Sequence, residues 1–248
     1  MVSINLNGKV ALITGGTRGI GKSIAELFLN AGATILLTGT KKDEIEELNK
    51  NEKSGCVTYL YLDFSLEESV NDFVNQTIPN YRIDILINNA GINKIDLNTQ
   101  TSTKDYDLLN DVNLKGPYIL TREVSRKMKE NGYGRIVNIT SIWSVVSRPG
   151  RSIYSLTKWG MIGLTKTLSL ELAEDNILIN SVAPGFTNTE LTESTNSKEE
   201  LIKITSLIPM KRLAEPKEIA NLILFLSSNL NTYITGQNLV IDGGYTNV

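Results

Sequence analysis

The stretch Thr14-Gly15-Gly16-Thr17-Arg18-Gly19-Ile20-Gly21 decides the fold. It follows an apolar run, Val10-Ala11-Leu12-Ile13, that reads as a buried strand. It opens a segment in which Ile20, Ile24, Leu27, Phe28 and Ala31 recur at helical spacing. Strand, glycine turn and helix make the geometry that grips a dinucleotide. The glycines let backbone approach a pyrophosphate, and the helix N-terminus offers unpaired N–H groups with a partial positive charge. The alternative is a purely structural turn.

Outward from this stretch, short β-branched runs at 9–14, 33–38, 57–62, 83–87, 134–140, 177–183 and 238–241 predict strands. They are apolar on both faces, as strands between two helix layers are. Helical patterns lie near 19–31, 42–51, 66–78, 103–130, 152–175 and 215–228. The alternation predicts an α/β fold with one Rossmann-like, doubly wound parallel sheet of about seven strands, helices on both faces, and a single domain over 1–248. The segment 187–206, rich in Thr, Asn, Ser and Glu, follows the sixth strand. Ligands sit beyond the carboxyl ends of such strands, so this segment reads as a lid or as a solvated surface excursion.

The 248 residues carry a net charge of -2, which offers no basic surface to nucleic acid or an anionic membrane. The single cysteine, Cys56, excludes an intrachain disulfide. It fits a reducing compartment and reads as a small buried residue. No secretion-type leader and no apolar run of roughly 20 residues occur, so a cytoplasmic protein is expected. The chain has no histidine, which excludes Ser-His-Asp triads, Cys-His pairs and His-ligated metals; no metal is expected.

Tyr154 and Lys158 are four apart in a predicted helix and share a face. Ser141 follows the strand Ile136-Val137-Asn138-Ile139 at its carboxyl end. With Thr14 to Gly21, Asn88-Asn89-Ala90-Gly91, Asn113, Tyr154 to Lys158, Pro184-Gly185 and Asp242-Gly243-Gly244 in this order, the chain resembles the short-chain dehydrogenase/reductase family over essentially its full length. Within that family it is similar to 3-oxoacyl-[acyl-carrier-protein] reductases and to sugar or alcohol dehydrogenases.

The resemblance implies an oxidoreductase that moves a hydride between NADP(H) and a carbonyl or secondary alcohol. Tyr154 is then the acid/base, Ser141 orients the substrate oxygen, Lys158 holds the nicotinamide ribose and favours tyrosinate, and Asn113 anchors a water that links Lys158 to solvent. An ordinary phenol, with pKa about 10, is roughly 0.1% ionised at pH 7. An ammonium about 4 Å away favours the anion by up to roughly 4 kcal/mol at an effective dielectric near 20, before desolvation. Taken singly, Asn113 reads equally as a helix cap, Asn88 and Asn89 as turn residues, and Ser141 as a strand-end serine. A non-catalytic NADP(H)-binding sensor is the rival from another class; such a protein can lose Ser, Tyr or Lys, and all three are present here.

NAD-preferring proteins place an acid at the end of the second strand. Gly39 stands there, with Thr40, Lys41 and Lys42 following and Arg18 in the glycine turn. This predicts NADP(H) over NAD(H). The cofactor residues implied are Gly15, Thr17, Arg18, Gly19, Ile20, Gly21 and Thr40 around the turn. Asp63 and Phe64 are assigned to the adenine end, Asn89 to the adjacent ribose with Ala90 and Gly91 beside it, and Pro184, Gly185, Thr187 and Thr189 to the nicotinamide end, with Tyr154 and Lys158.

Asn93 and Lys94, together with Trp143, Val145, Val146, Arg148 and Arg151, are placed to line a substrate pocket. Trp143 suits a ring or an acyl chain; Arg148 or Arg151 suits a carboxylate or phosphate, or else surface or subunit contacts. The substrate expected is a small carbonyl or alcohol, with 3-oxoacyl compounds and sugars or polyols as competing classes. In carrier-protein reductases basic residues near the site entrance dock the acidic carrier. Gly132 and Asp175 stand at the corresponding positions, so an acyl-carrier partner is doubtful, with Lys127, Lys129 and Arg135 as possible substitutes. Met161, Ile162, Leu164, Leu168 and Leu172 give the helix at 152–175 more apolar positions than one helix–sheet contact needs, unless core packing absorbs them. The resemblance implies a homotetramer, or at least a dimer, with the stretch 233–248 also at an interface.

Overall fold

Seven parallel strands build one sheet in the order β3-β2-β1-β4-β5-β6-β7. The computed structural model describes residues 4–247; residues 1–3 and 248, the ends of the expected domain and the tip of the 233–248 stretch, lie outside them. The strands are β1 (Val10–Ile13), β2 (Thr34–Gly39), β3 (Val57–Tyr61), β4 (Ile85–Asn88), β5 (Gly134–Ile139), β6 (Ile177–Pro184) and β7 (Asn238–Ile241). Successive side chains point to opposite faces. Ile13, Ile35, Ile85 and Ile87 therefore enter one core with α1 (Gly19–Asn30) and α9 (Pro216–Ser227). Leu12, Leu36, Leu86 and Ile136 enter the other, with Leu120, Val124 and Met128 of α5 (Gly116–Asn131). Burial on both faces explains the unbroken apolar runs. Strand order reverses between β1 and β4, so their carboxyl ends open a crevice at the switch point.

Several elements differ from the sequence expectation. The helix expected at 103–130 is α4 (Thr103–Asn110), a wide π-type turn at Asp111–Lys115, and α5. The helix expected at 66–78 is α3 (Glu67–Asp72) followed by a second wide turn at Phe73–Thr77; a pattern of buried residues does not report local over-winding. The polar segment 187–206 contains α7 (Glu190–Ser194) and α8 (Lys198–Leu207). Cys56 is exposed, not buried, because it enters edge strand β3 from a solvated loop. In α6 (Ser152–Leu172), Met161, Ile162 and Leu172 are buried in the core, and Leu164 and Leu168 are half-buried. Packing thus absorbs most of the apolar surplus. The outward apolar face is instead Leu156, Trp159 and Leu170, 50%, 51% and 83% exposed.

A buried chain of side-chain hydrogen bonds fastens the crevice helices to the sheet. Asn88 Nδ2 on β4 donates to Thr121 Oγ1 of α5 (2.8 Å) and to Asn138 Oδ1 of β5 (2.7 Å). Asn138 Nδ2 donates to Thr165 Oγ1 of α6 (2.8 Å), which lies 2.7 Å from Ser181 Oγ of β6. Asn88 is therefore a strand residue, not a turn residue. Asn138→Ala removes one of the two acceptors of the Asn88 amide and the donor to Thr165, so it should lower unfolding stability by about 2–3 kcal/mol. Urea denaturation reads this; an unchanged midpoint would show that the network contributes nothing.

Candidate active site

The carboxyl end of β5 supplies Ser141, whose hydroxyl accepts the Trp143 N–H (3.3 Å) and so starts the short turn Ile142–Ser144. α6 crosses beside it and presents Tyr154 and Lys158 one turn apart, with Lys158 Nζ 5.5 Å from the Tyr154 ring centre. Lys158 is buried and donates to the Ile139 carbonyl (2.9 Å), which ties α6 to the strand that bears Ser141. Burial pulls the Lys158 pKa down to about 8.

The Tyr154 phenol departs from the sequence expectation. Desolvation pushes its pKa up, opposed by the Ser141 hydroxyl and then by the Arg151 guanidinium. Burial outweighs both, and the Lys158 ammonium donates to the Ile139 carbonyl. The Tyr154 phenol is thus neutral at neutral pH.

Asn113 sits in the wide turn between α4 and α5 and caps no helix. Its Oδ1 accepts the Ile92 N–H and its Nδ2 donates to the Ile92 carbonyl, both at 2.9 Å. A two-way amide clamp thereby holds the loop after β4 against the floor of the site. Gly91 in that loop keeps the approach close, since a Cβ there would lie 3.3 Å from Asn113 Oδ1 and 3.5 Å from Lys158 Nζ.

A cleft of about 610 Å³ runs from the glycine turn to Tyr154, a volume ordinary for a small-molecule site. Gly15 and Gly19 adopt φ of +62° and +55°, conformations natural to glycine. Gly21 lies behind the lining, where a Cβ would fall 2.4 Å from the Gly15 carbonyl. The α1 N-terminus, entered through Arg18 in extended conformation, has no side-chain cap. Its first N–H groups are left for an anion. Thr17, Arg18, Ile20, Thr40, Asn89, Ala90, Gly91, Pro184, Gly185, Thr187 and Thr189 line the cleft as expected. Asn89 also has a structural task, because its side chain donates to the Thr14 and Gly15 carbonyls (both 2.9 Å).

Not every expected residue reaches the cleft. Phe64 is packed into the core and Asp63 accepts from Ser65 (2.6 Å); neither side chain is in the lining. Lys94 pairs with Asp105 (2.7 Å) and Arg148 stands outside the lining. Trp143, Arg151 and Asn93 do line it. Sequence reading missed Phe186, which joins Trp143 and Tyr245 in a mutually edge-to-face trio with centroids 5.4–6.2 Å apart. It also missed Glu44, a carboxylate at the β2 end, 3.8 Å from Lys41. Leu191, Thr192 and Asn196 of the 187–206 segment face the cleft, so this segment roofs it.

Residues 15–246 match the family described as enoyl-(acyl carrier protein) reductase. A 3-oxoacyl-[acyl-carrier-protein] reductase of Aquifex aeolicus is 41% identical over 248 residues, 98% of this chain and 99% of that protein. The chain belongs to the short-chain dehydrogenase/reductase family. Among solved structures, a gluconate dehydrogenase from Agrobacterium tumefaciens superposes with a TM-score of 0.91 at 30% identity, covering 100% of both chains. An NAD(P)-dependent gluconate 5-dehydrogenase from Beutenbergia cavernae with bound NADP does so at 0.91 and 30%, covering 98% of this chain and 99% of that one. Family membership makes the chain an oxidoreductase.

Holding the Lys158 ammonium out of water is unfavourable by on the order of 3 kcal/mol, from the fall to about 8 from 10.5. Below pH 8 the residue is charged folded and unfolded, so the penalty is present in full. From about 8 to 10.5 the unfolded chain binds the proton and the folded one does not, so stability rises with pH. Lys158→Met should therefore melt above wild type at pH 7, by an amount that shrinks toward pH 10. Thermal melts across that range test it; a variant less stable at pH 7 would refute the buried-charge account.

Proposed function

We propose that the protein reduces a small carbonyl compound of the 3-oxoacyl type with NADPH, and oxidises the corresponding alcohol in reverse. The observation that carries this reading is the meeting of Ser141, Tyr154 and Lys158 at one end of a cleft whose other end is an uncapped helix N-terminus behind a glycine turn.

The residues fit an NADP(H) molecule. The α1 N–H groups suit its pyrophosphate, and Arg18, Thr40 and Lys41 suit a 2′-phosphate. Arg18 forms only an exposed pair with Glu190 (3.3 Å), which a phosphate dianion can displace. When bound, the cofactor supplies or accepts the hydride. Tyr154 gives its phenolic proton to the substrate oxygen, which the Ser141 hydroxyl orients. The buried Lys158 ammonium, released from the Ile139 carbonyl, stabilises the phenolate left behind. Phe186, Trp143 and the 187–206 roof keep water from the reacting atoms.

Carrier delivery finds little support. Gly132 and Asp175 lie at the amino ends of β5 and β6, across the sheet from the cleft of the same chain. Asp175 pairs with Lys129 (2.8 Å), Lys127 reaches the Pro79 carbonyl (3.4 Å), and Arg135 is buried. A sugar-acid or polyol substrate is the second reading, favoured by the gluconate dehydrogenases among the structural neighbours. No described helix is long and apolar enough to cross a membrane, and a cytoplasmic setting fits the exposed free Cys56.

Assembly as a homotetramer is part of the same proposal. The α6 stripe of Leu156, Trp159 and Leu170 continues an apolar face with no cover from its own chain, and edge strand β7 leaves Val240 39% exposed. Light scattering should report four subunits, and a monomer would remove the idea. For the reaction, Tyr154→Phe should cut turnover of acetoacetyl thioesters and small oxo compounds at least a thousandfold while NADPH still binds. Arg18→Ala should weaken NADPH about tenfold and leave NADH nearly unchanged. Full turnover by the phenylalanine variant, or tighter NADH binding by wild type, would overturn the assignments.

A further inference from the structure

Arg151 is 3% exposed and lines the cleft, yet its Nε is buried without a hydrogen-bond partner among the described residues. A guanidinium has five N–H donors in a rigid fork, and burying it unanswered is strongly unfavourable. Arg135 shows how this fold settles a structural arginine. It is equally buried and its Nε also lacks a partner among the described residues, but its Nη1 donates to the Gly134 and Asn176 carbonyls at 2.7 and 3.0 Å, whereas no guanidinium nitrogen of Arg151 donates to a described residue. Arg151 instead lies over the Trp143 ring, Cζ 5.4 Å from the centre, with Arg148 at 5.3 Å. That contact answers none of its donors. Burial, and then the like charge of Arg148, pull its pKa down to about 10, as expected of a cation short of an anion.

The position is as telling as the burial. Arg151 is the N-cap residue just before α6 and stands three before Tyr154. Its charge acts on the Tyr154 phenol, and both residues line the cleft. Asn93, also in the lining, has a second buried and unanswered polar atom, Oδ1. This part of the cleft is therefore built for a polar ligand and not for a long acyl chain.

We propose that Arg151 receives a carboxylate of the substrate, so that the compound reduced at Tyr154 is a short oxo acid and the alcohol oxidised in reverse is a hydroxy acid. The proposal rests on the assignment of Tyr154 as proton donor and narrows its substrate class. The i,i+3 spacing limits the carboxylate to a few carbons from the carbonyl. One buried guanidinium balances one negative charge, and Arg148 stands outside the lining, so a monoanionic carboxylate fits better than a phosphate dianion. A thioester has no free carboxylate at its acyl head and would leave the fork unanswered.

The test uses the full-length protein with 3-oxobutanoate, 4-oxopentanoate and their methyl esters. Initial rates with NADPH give the acid-to-ester ratio of kcat/KM. Binding without turnover is read from Trp143 fluorescence in Trp159→Phe, which removes the other of the two tryptophans. Wild type should favour an acid over its ester at least tenfold, and Arg151→Met should lower that ratio ten- to a hundredfold. The acid should perturb Trp143 fluorescence, at least tenfold more weakly in the methionine variant. Equal losses for acid and ester would mean that Arg151 acts through Tyr154, and would overturn the proposal. Reduction of esters or thioesters with no acid binding would overturn it while leaving the reductase reading intact. Acid binding without reduction of any carbonyl compound would sustain the anion site and sink the reductase reading. Should Arg151→Met fail to fold, the wild-type ratio and the Trp159→Phe titration decide alone.

Discussion

The site depends on the buried polar chain from Asn88 through Asn138 to Thr165 and Ser181. Apolar packing alone would hold α5 and α6 against the sheet but would tolerate sliding by a fraction of a turn. Hydrogen bonds of 2.7–2.8 Å between amides and hydroxyls on three strands and two helices do not. They fix the height of α6 over β5 and β6. Lys158 then meets the Ile139 carbonyl and Tyr154 stands beside Ser141. Apart from Asn88 Oδ1, which is left without a partner among the described residues, the amides and hydroxyls of the chain bond one another in a low-dielectric interior, so the network specifies one register as well as stabilising it.

A second constraint acts at the switch point. The Thr14 hydroxyl accepts the N–H groups of Asn89 and Ala90 (both 3.0 Å), while the Asn89 side chain returns to the carbonyls of Thr14 and Gly15. The ends of β1 and β4 are thereby locked together where the crevice opens. The Asn113 clamp on Ile92 extends that lock to the turn between α4 and α5. A π-type turn there spends helical regularity to aim one side chain inward, the kind of local irregularity that functional sites retain.

These locks explain what could be read from sequence. The glycine turn, the strand alternation and the Ser141–Tyr154–Lys158 spacing were legible because each rests on a local rule: backbone freedom, two-face burial, or one helix turn. Helices α7 and α8 were not, since a polar roof has no apolar period. The Ser197-x-x-Glu200 capping box, made in full, was the signal available for α8. The wide turns, the exposure of Cys56 and the core position of Phe64 depend on what packs across from them, which no spacing encodes. The raised pKa of Tyr154 comes first from desolvation, which the spacing of charged residues along a helix does not report.

The same reasoning separates Arg151 from Arg148, two residues that look alike in the sequence. Arg148 is half-exposed and acts on Glu200 at the N-terminus of α8, so solvent and a carboxylate meet its charge. Arg151 meets no carboxylate, its Nε is buried without a partner among the described residues, and an anion arriving in the cleft would satisfy the fork. Buried donors of Asn88, Asn113, Lys158 and Arg135 find partners at 2.7–3.0 Å; Arg135 Nε is left without one, but no guanidinium nitrogen of Arg151 has a partner among the described residues and Arg151 lines the cleft. An unanswered guanidinium beside the proton donor is therefore a statement about the ligand: its free energy of burial is recovered on binding an anion, and discrimination between charged and neutral carbonyl compounds follows from that single residue.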